Sequence, residues 1–131
     1  MKYVYPAIFT AETNGQFSVT FPDLEGCYTG GDNLADAIDM AQDALCLYLY
    51  NKEQAKEEIP SPSAAKEISC NTNETVSLIN CDTLEYKKFF GKQAVRKTVT
   101  LPAWLNTMAE EADISFSSVL QSGLKNALGI N

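Results

Sequence analysis

The sequence contains no histidine among its 131 residues. Histidine is the usual general base at neutral pH, a common metal ligand and the activating partner of serine and cysteine nucleophiles. Its absence excludes Ser-His and Cys-His catalytic pairs. No apolar run approaches the roughly 20 residues of a membrane-spanning helix, and the first residues, MKYVYP, lack the apolar core of a signal peptide. We therefore expect a cytoplasmic protein that has no membrane partner.

Cysteine is scarce and widely spaced. Cys27, Cys46, Cys70 and Cys81 include no pair at the CxxC spacing that is typical of zinc sites and redox motifs. In a protein without an export signal, such thiols are usually small, buried side chains. The sequence therefore predicts mostly buried thiols, no metal site and no cofactor.

Basic residues are few: 10 Lys and Arg stand against 17 Asp and Glu, and the net charge is −7. An acidic chain argues against a nucleic-acid partner, because phosphate binding needs basic surface. The charge is uneven, however. Residues 1–91 hold six lysines and fourteen acids, a net −8, whereas residues 92–131 hold four basic and three acidic residues, a net +1. This asymmetry indicates two modules with different partners.

The first module shows strand and helix signals in the order β-β-β-α-β. Asn14-Gly15 separates two stretches that are rich in β-branched and aromatic residues, which predicts a hairpin. Gly30-Gly31 is expected to follow a short third strand. The order implies an α+β fold with one helix on one face of a small, mostly antiparallel sheet. The predicted strands span residues 2–10, 16–21, 26–29 and 74–82, and the predicted helix spans residues 33–51.

Two stripes run along the predicted helix, which Asp32 or Asn33 should cap. The apolar stripe should pack on the sheet. The opposite stripe is acidic, and like charges one turn apart cost roughly 0.2–0.5 kcal/mol per pair. These aspartates are either an ordinary solvated face or a surface kept for a basic partner. The apolar stripe comprises Leu34, Ile38, Ala41, Leu45 and Tyr48, and the acidic stripe comprises Asp32, Asp36, Asp39 and Asp43.

Residues 83–91, TLEYKKFFG, are expected to be a tether that joins a first domain, residues 1–82, to a second, residues 92–131. The second domain begins with an alternating stretch, residues 94–102, which predicts a strand. Pro102 suits the first turn of a helix, and Ser115 suits the N-cap of another helix that Gly129 would end. The second domain is therefore a β-α-α unit.

Such a unit of about forty residues buries too little apolar surface to stand alone, and its single strand has both edges unpaired. A twofold dimer would pair two strands into a ribbon and share one core among four helices. The ribbon would fit the major groove of DNA. The predicted dimer core comprises Val99, Leu101, Trp104, Leu105, Met108, Phe116, Val119, Leu120 and Leu124. The predicted DNA-binding residues are Arg96, Thr98 and Thr100 on the ribbon, Lys97 as a phosphate contact or a solvated side chain, and the backbone amides of Ser115, Phe116 and Ser117 at a helix N-terminus.

Two segments together resemble one known family. The stretch FPDLEGCYTGGDNLADAIDMAQDAL is similar to the first domain of HicB-type antitoxins, and VRKTVTLPAWLNTMAEEADISFSSVLQSGLKNALG is similar to their ribbon-helix-helix tail. The resemblance implies a partial ribonuclease H-like first domain without catalytic activity. It also implies binding to a HicA-type toxin that cleaves messenger RNA, and repression of the operon through operator DNA. The candidate toxin-binding residues are Phe21, Pro22, Asp23, Leu24, Asp36, Asp39 and Asp43.

Two other functions can be weighed against this one. A nuclease of the ribonuclease H type needs a carboxylate from its first strand, and residues 2–10 contain none, so we expect no enzymatic activity. The alternative function is a stand-alone ribbon-helix-helix repressor whose first domain binds a small ligand or another protein. The sequence leaves open whether the homodimers pair further into tetramers.

Overall fold

The computed structural model describes residues 1–91 and 94–130. Within these ranges the chain divides into two compact units, residues 1–91 and residues 94–130. Lys92, one of the basic residues counted above, lies outside the described residues. None of the helices described is both long and apolar enough to span a membrane.

The first unit is a four-stranded antiparallel sheet with one long helix packed on it, so the predicted order β-β-β-α-β is confirmed. The strand order across the sheet is β3-β2-β1-β4. A second helix follows β4, and a short 3-10 helix, Ala65–Glu67, interrupts the long loop before it. The elements are β1 (Lys2–Ala11), β2 (Phe17–Thr20), β3 (Tyr28–Gly31), α1 (Leu34–Gln54), β4 (Glu74–Asp82) and α2 (Thr83–Phe90).

The third strand lies two residues later than predicted. Gly30 and Gly31, expected to follow the strand, are part of β3 and pair with Ser18 and Phe17 of β2. Close packing explains the glycine at the end of the strand: a Cβ added to Gly31 would lie 2.4 Å from the backbone nitrogen of Ala37. The first turn of α1 therefore lies directly against the β3 backbone.

Helix α1 begins where the sequence predicts. The Asn33 side chain accepts a hydrogen bond from the Asp36 N–H at 2.8 Å, and the Asp36 carboxylate accepts one from the Asp32 N–H at 2.9 Å. This reciprocal arrangement satisfies amides that the first turn would otherwise leave unpaired. The predicted cap at Asn33 is confirmed, and the helix continues three residues beyond the predicted end.

The predicted apolar stripe of α1 is wrong at its first two positions. Leu34 and Ile38 are exposed. Because the first turn lies so close to β3, alanine fits the contact and the larger side chains stay outside it. The residues of α1 that are buried in the core are Ala37, Ala41, Leu45, Cys46 and Leu49.

The predicted tether, residues 83–91, is a helix. The Asp82 carboxylate caps α2 by accepting a hydrogen bond from the Leu84 N–H at 3.0 Å. Thr83 is buried, and its hydroxyl donates to the Glu53 carboxylate of α1 at 3.0 Å. The Tyr3 hydroxyl donates to the same carboxylate at 2.7 Å. Burial is the larger cause, and this hydrogen bond the second cause, of a Tyr3 pKa raised to about 12. The contact between Thr83 and Glu53 holds the start of α2 against α1.

The second unit contains two helices, α3 (Ala103–Glu111) and α4 (Phe116–Leu128). Ser115 caps α4 by accepting a hydrogen bond from the Ser118 N–H at 3.4 Å, and Gly129 ends it with a φ of +73°. Both predictions are confirmed. The strand predicted at residues 94–102 is not observed, because the single chain offers this segment no strand to pair with.

The close contact at Gly31 can be tested by substitution. Gly31→Ala should lower the free energy of unfolding by about 1–3 kcal/mol, since the new methyl group must displace the backbone of α1. Thr29→Ala, on the same strand, adds no atoms and should cost less than about 1 kcal/mol. Urea unfolding followed by circular dichroism measures both. Equal effects of the two substitutions would contradict the close packing of α1 on β3.

Candidate functional site

The first group of candidate toxin-binding residues, 21–24, is partly buried in the core. Phe21 and Leu24 are only 2% and 1% exposed. Asp23 accepts hydrogen bonds from the backbone N–H and the hydroxyl of Ser63, at 2.9 and 2.6 Å. Of the four residues, only Pro22 is exposed. The side chains of Phe21 and Leu24 are packed inside and Asp23 anchors the loop after α1, so the contact of these four residues with a toxin stays a prediction.

The acidic stripe of α1 is split between two places. Asp36 is half-buried and caps its own helix, as described above, and with Asp32 it lines a shallow cleft beside β2 and β3. Asp39 and Asp43 are exposed and line a separate groove between α1, β4 and α2. The cleft contains one further carboxylate, Glu12, and the groove contains two, so the stripe contributes to two acidic surfaces, of which the groove has more carboxylates.

This acidic groove has a volume of about 410 Å³. Four carboxylates and no lysine or arginine line it, although Glu85 pairs with Lys88 at 3.2 Å and Asp82 with the N-terminal amine at 3.9 Å. Aromatic side chains from α2 form one of its sides. Such a site suits a basic side chain, since carboxylates attract its charge and aromatic faces attract cations. The groove is lined by Asp39, Gln42, Asp43 and Cys46 of α1, by Asn80 and Asp82 of β4, and by Glu85, Tyr86, Phe89 and Phe90 of α2.

Several polar groups of the groove are bonded to one another or stay neutral. Gln42 donates hydrogen bonds to the backbone oxygen and the side-chain oxygen of Asn80, at 3.2 and 2.9 Å. Burial raises the pKa values of the Cys46 thiol and the Tyr86 hydroxyl, so both stay protonated at neutral pH. Among the described residues, no group of three or more Cys, Asp or Glu side chains could hold a metal ion.

The contribution of α2 to the groove was missed because residues 83–91 were expected to be a tether. One sequence signal could have identified the helix. Asp82 is followed three residues later by Glu85, and this spacing is that of a capping box at a helix start. The signal is short and lies directly after a strand, where it is easily overlooked.

The second candidate surface is the apolar face of the second unit. All nine residues of the predicted dimer core are exposed in the single chain, from 39% for Leu101 to 64% for Trp104. Several of them, including Val99, Leu105 and Leu120, line a mostly apolar groove of about 430 Å³. A face of this kind is rare on a monomer and marks an interaction surface.

The predicted DNA-binding residues are all on the surface. Arg96, Lys97, Thr98 and Thr100 lie in the segment that precedes α3 and are exposed. Ser115, Phe116 and Ser117 are exposed at the start of α4, where Ser115 acts as the N-cap. The single chain brings these two groups of residues into one unit, separated along the sequence by α3.

Known proteins resemble the chain in sequence and in fold. Residues 5–122 match the model of the HicB-like antitoxin family of bacterial toxin–antitoxin systems. A relative named Antitoxin HicB 2, from Photorhabdus laumondii, is 40% identical over 63 residues, which cover 48% of this chain and 45% of that protein. The chain thus spans about half the length of this relative.

Solved structures share the fold at lower identity. A chain of a toxin–antitoxin complex from Streptococcus pneumoniae has a TM-score of 0.63 and 24% identity, covering 97% of this chain and 99% of that chain. The antitoxin HicB of Burkholderia pseudomallei has a TM-score of 0.54 and 17% identity, covering 96% of both. With a family match that extends from the first strand into the last helix, the chain belongs to the HicB-like antitoxin family.

Proposed function

We propose that the protein is a non-enzymatic, cytoplasmic antitoxin with two separate binding functions. Its first unit binds and neutralises a HicA-type toxin, and its second unit dimerises and binds operator DNA to repress its own operon. The observation that carries the proposal is the family match over residues 5–122. Structures of similar fold include a toxin–antitoxin complex and a complex described as containing both HicA-type and HicB-type proteins.

The charge of the first unit supports the toxin-binding half. Its net −8 over residues 1–91 favours a basic partner, and the acidic groove gathers four of the carboxylates on one surface. Opposite charges across an interface speed association and select against wrong partners. A basic toxin is therefore the partner class that this surface favours.

The open apolar face of the second unit supports dimerisation. A second copy would cover side chains such as Val99, Trp104 and Leu120, which the single chain exposes. It would also pair the segment 94–101 with its own copy, since an isolated strand has no ladder. We propose that this produces a ribbon-helix-helix dimer, in agreement with the alternation of side chains in that segment.

The exposed side chains of the same segment support DNA binding. In the proposed dimer Arg96, Thr98 and Thr100 of both chains lie on one face of the ribbon, and an arginine bidentate to guanine contributes about 1–3 kcal/mol. Each tail holds only four basic residues. The affinity should therefore be moderate and strongly dependent on salt. Pairing of dimers into tetramers on adjacent half-sites would strengthen it.

Arg96→Ala tests the DNA-binding half. It should weaken binding to the operator DNA upstream of the gene at least about tenfold, because one base contact is lost from each chain. Inhibition of a HicA-type toxin in an RNA-cleavage assay should be unchanged. Lys125→Ala is the control, since it removes the same charge from the last turn of α4. An equal loss of DNA binding in the two variants would show that Arg96 acts only through its charge.

A fragment of residues 1–91 tests the toxin-binding half. It contains the whole core of the first unit and ends at the C-cap of α2. We expect it to be monomeric by sedimentation and to inhibit the toxin in the same RNA-cleavage assay, with a lower apparent affinity than the full dimer. A fragment that is folded by circular dichroism but leaves RNA cleavage unchanged would contradict the assignment of toxin binding to the first unit.

A further inference from the structure

The strand β4 lies at the edge of the sheet. The hydrogen bonds at its two ends show which of its residues bond to β1 and which face away from it. At one end the Ala11 N–H donates to the Asn73 oxygen, and at the other the Thr83 N–H donates to the Met1 oxygen. In an antiparallel ladder, alternate residues exchange hydrogen bonds with the partner strand. The odd-numbered residues of β4 therefore bond to β1, and Val76 and Leu78 direct their N–H and C=O groups away from it.

The sequence of this edge carries little of the usual protection, although the 3-10 helix Ala65–Glu67 packs near it. Edge strands are commonly blocked by lysine, proline or a bulge, because an open row of amides and carbonyls can pair with another strand. Residues 74–82 contain no lysine or proline, and their pairing with β1 runs from Glu74 to Asp82 without interruption. The side chain of Leu78, in the middle of the edge, is 58% exposed. The nearby 3-10 helix packs against β4 but forms no ladder with it.

One end of the edge is closed, and the acidic groove begins there. The Gln42 side chain donates a hydrogen bond to the backbone oxygen of Asn80, which faces outward from the edge. A further strand can therefore pair only with the residues of β4 that precede Asn80. Asn80 and Asp82 belong both to β4 and to the lining of the groove. A chain segment paired with Val76 and Leu78 would therefore lead directly to the groove with its four carboxylates.

From these contacts we propose that an extended segment of the toxin adds to the sheet beside β4 and places a lysine or arginine in the acidic groove. The inference rests on the proposed function, because it takes the toxin as partner and specifies how it docks. Main-chain hydrogen bonds to Val76 and Leu78 would provide affinity, and the groove would provide selectivity for a basic side chain.

A second copy of this chain fits the same edge poorly. Antiparallel pairing of β4 with its own copy, centred on Leu78, would place Glu74 opposite Asp82 at both ends. Like charges directly opposite each other destabilise a sheet. Two acidic grooves would also approach each other. Charge complementarity thus favours a strand that is basic at its ends, which a basic toxin can supply.

Amide hydrogen exchange on the full-length chain, measured by NMR with and without a purified HicA-type toxin, tests the pairing. Binding should slow exchange at Val76 and Leu78, while Ser77 and Ile79, already bonded to β1, should change little. A complex that forms without protection of Val76 and Leu78 would overturn the inference and leave the proposed function standing. If the unmodified chain fails to bind the toxin, both are contradicted.

Substitutions at the edge provide a second measurement. Leu78→Pro removes the outward N–H and should weaken toxin binding by about tenfold or more. Leu78→Ala keeps that N–H and should weaken binding by about threefold or less. Thermal unfolding of the free variants shows whether the sheet survives the proline. If it does not, the exchange experiment on the unmodified chain decides alone.

The groove is tested by a pair of double variants with equal charge. Asp39→Asn with Asp43→Asn should weaken toxin binding about tenfold and reduce its dependence on salt. Glu25→Gln with Glu58→Gln removes the same charge from exposed positions outside the groove, and should change binding less than about twofold. Equal effects of the two pairs would show that only overall charge matters, and would overturn the assignment of a basic side chain to the groove.

Discussion

The close packing of α1 on β3, made possible by the missing side chain at Gly31, determines the arrangement of the first unit. Because the first turn of α1 lies on the strand backbone, the helix axis is held at a short distance from the sheet. Further along, the same helix brings Gln42 to Asn80 at the edge of β4. Its last turns bring Glu53 to Thr83 and so anchor α2. The acidic groove exists only because both contacts are made, since its walls come from α1, β4 and α2.

The first unit is held together by close internal packing, whereas the second unit has few internal contacts. Two short helices cannot bury the apolar side chains that they carry, and the segment 94–102 has no strand beside it. A domain of this size usually obtains the missing burial from a partner. The proposed dimer supplies both the apolar cover and the strand, so the stability of this unit and its proposed binding of DNA are two results of one association.

The sequence was a good guide where the structure depends on local chemistry. The hairpin at Asn14-Gly15, the caps at Asn33, Ser115 and Gly129, and the extent of β4 were all predicted. It was a poor guide where a distant contact decides. The position of β3 depends on the approach of α1, and α2 is held by Glu53, thirty residues earlier in the chain. The acidic groove could not be predicted for the same reason, because it joins residues from three elements. The aspartate stripe was visible in the sequence. The sequence did not show that Asp36 caps the helix, whereas Asp39 and Asp43 line the acidic groove.

The distribution of charge would couple the two proposed functions. Each chain carries a net −7, which divides into −8 for residues 1–91 and +1 for residues 92–131. In a dimer bound to DNA, these carboxylates repel the phosphates, although salt screens the repulsion beyond roughly 8 Å. A basic toxin seated on the acidic groove would neutralise part of this charge and thereby favour DNA binding. Because coupling of two binding equilibria is reciprocal, operator DNA would then favour toxin binding to the same degree. Because the tail has only four basic residues, this proposed dependence on the toxin would be larger than for a strongly basic DNA-binding unit.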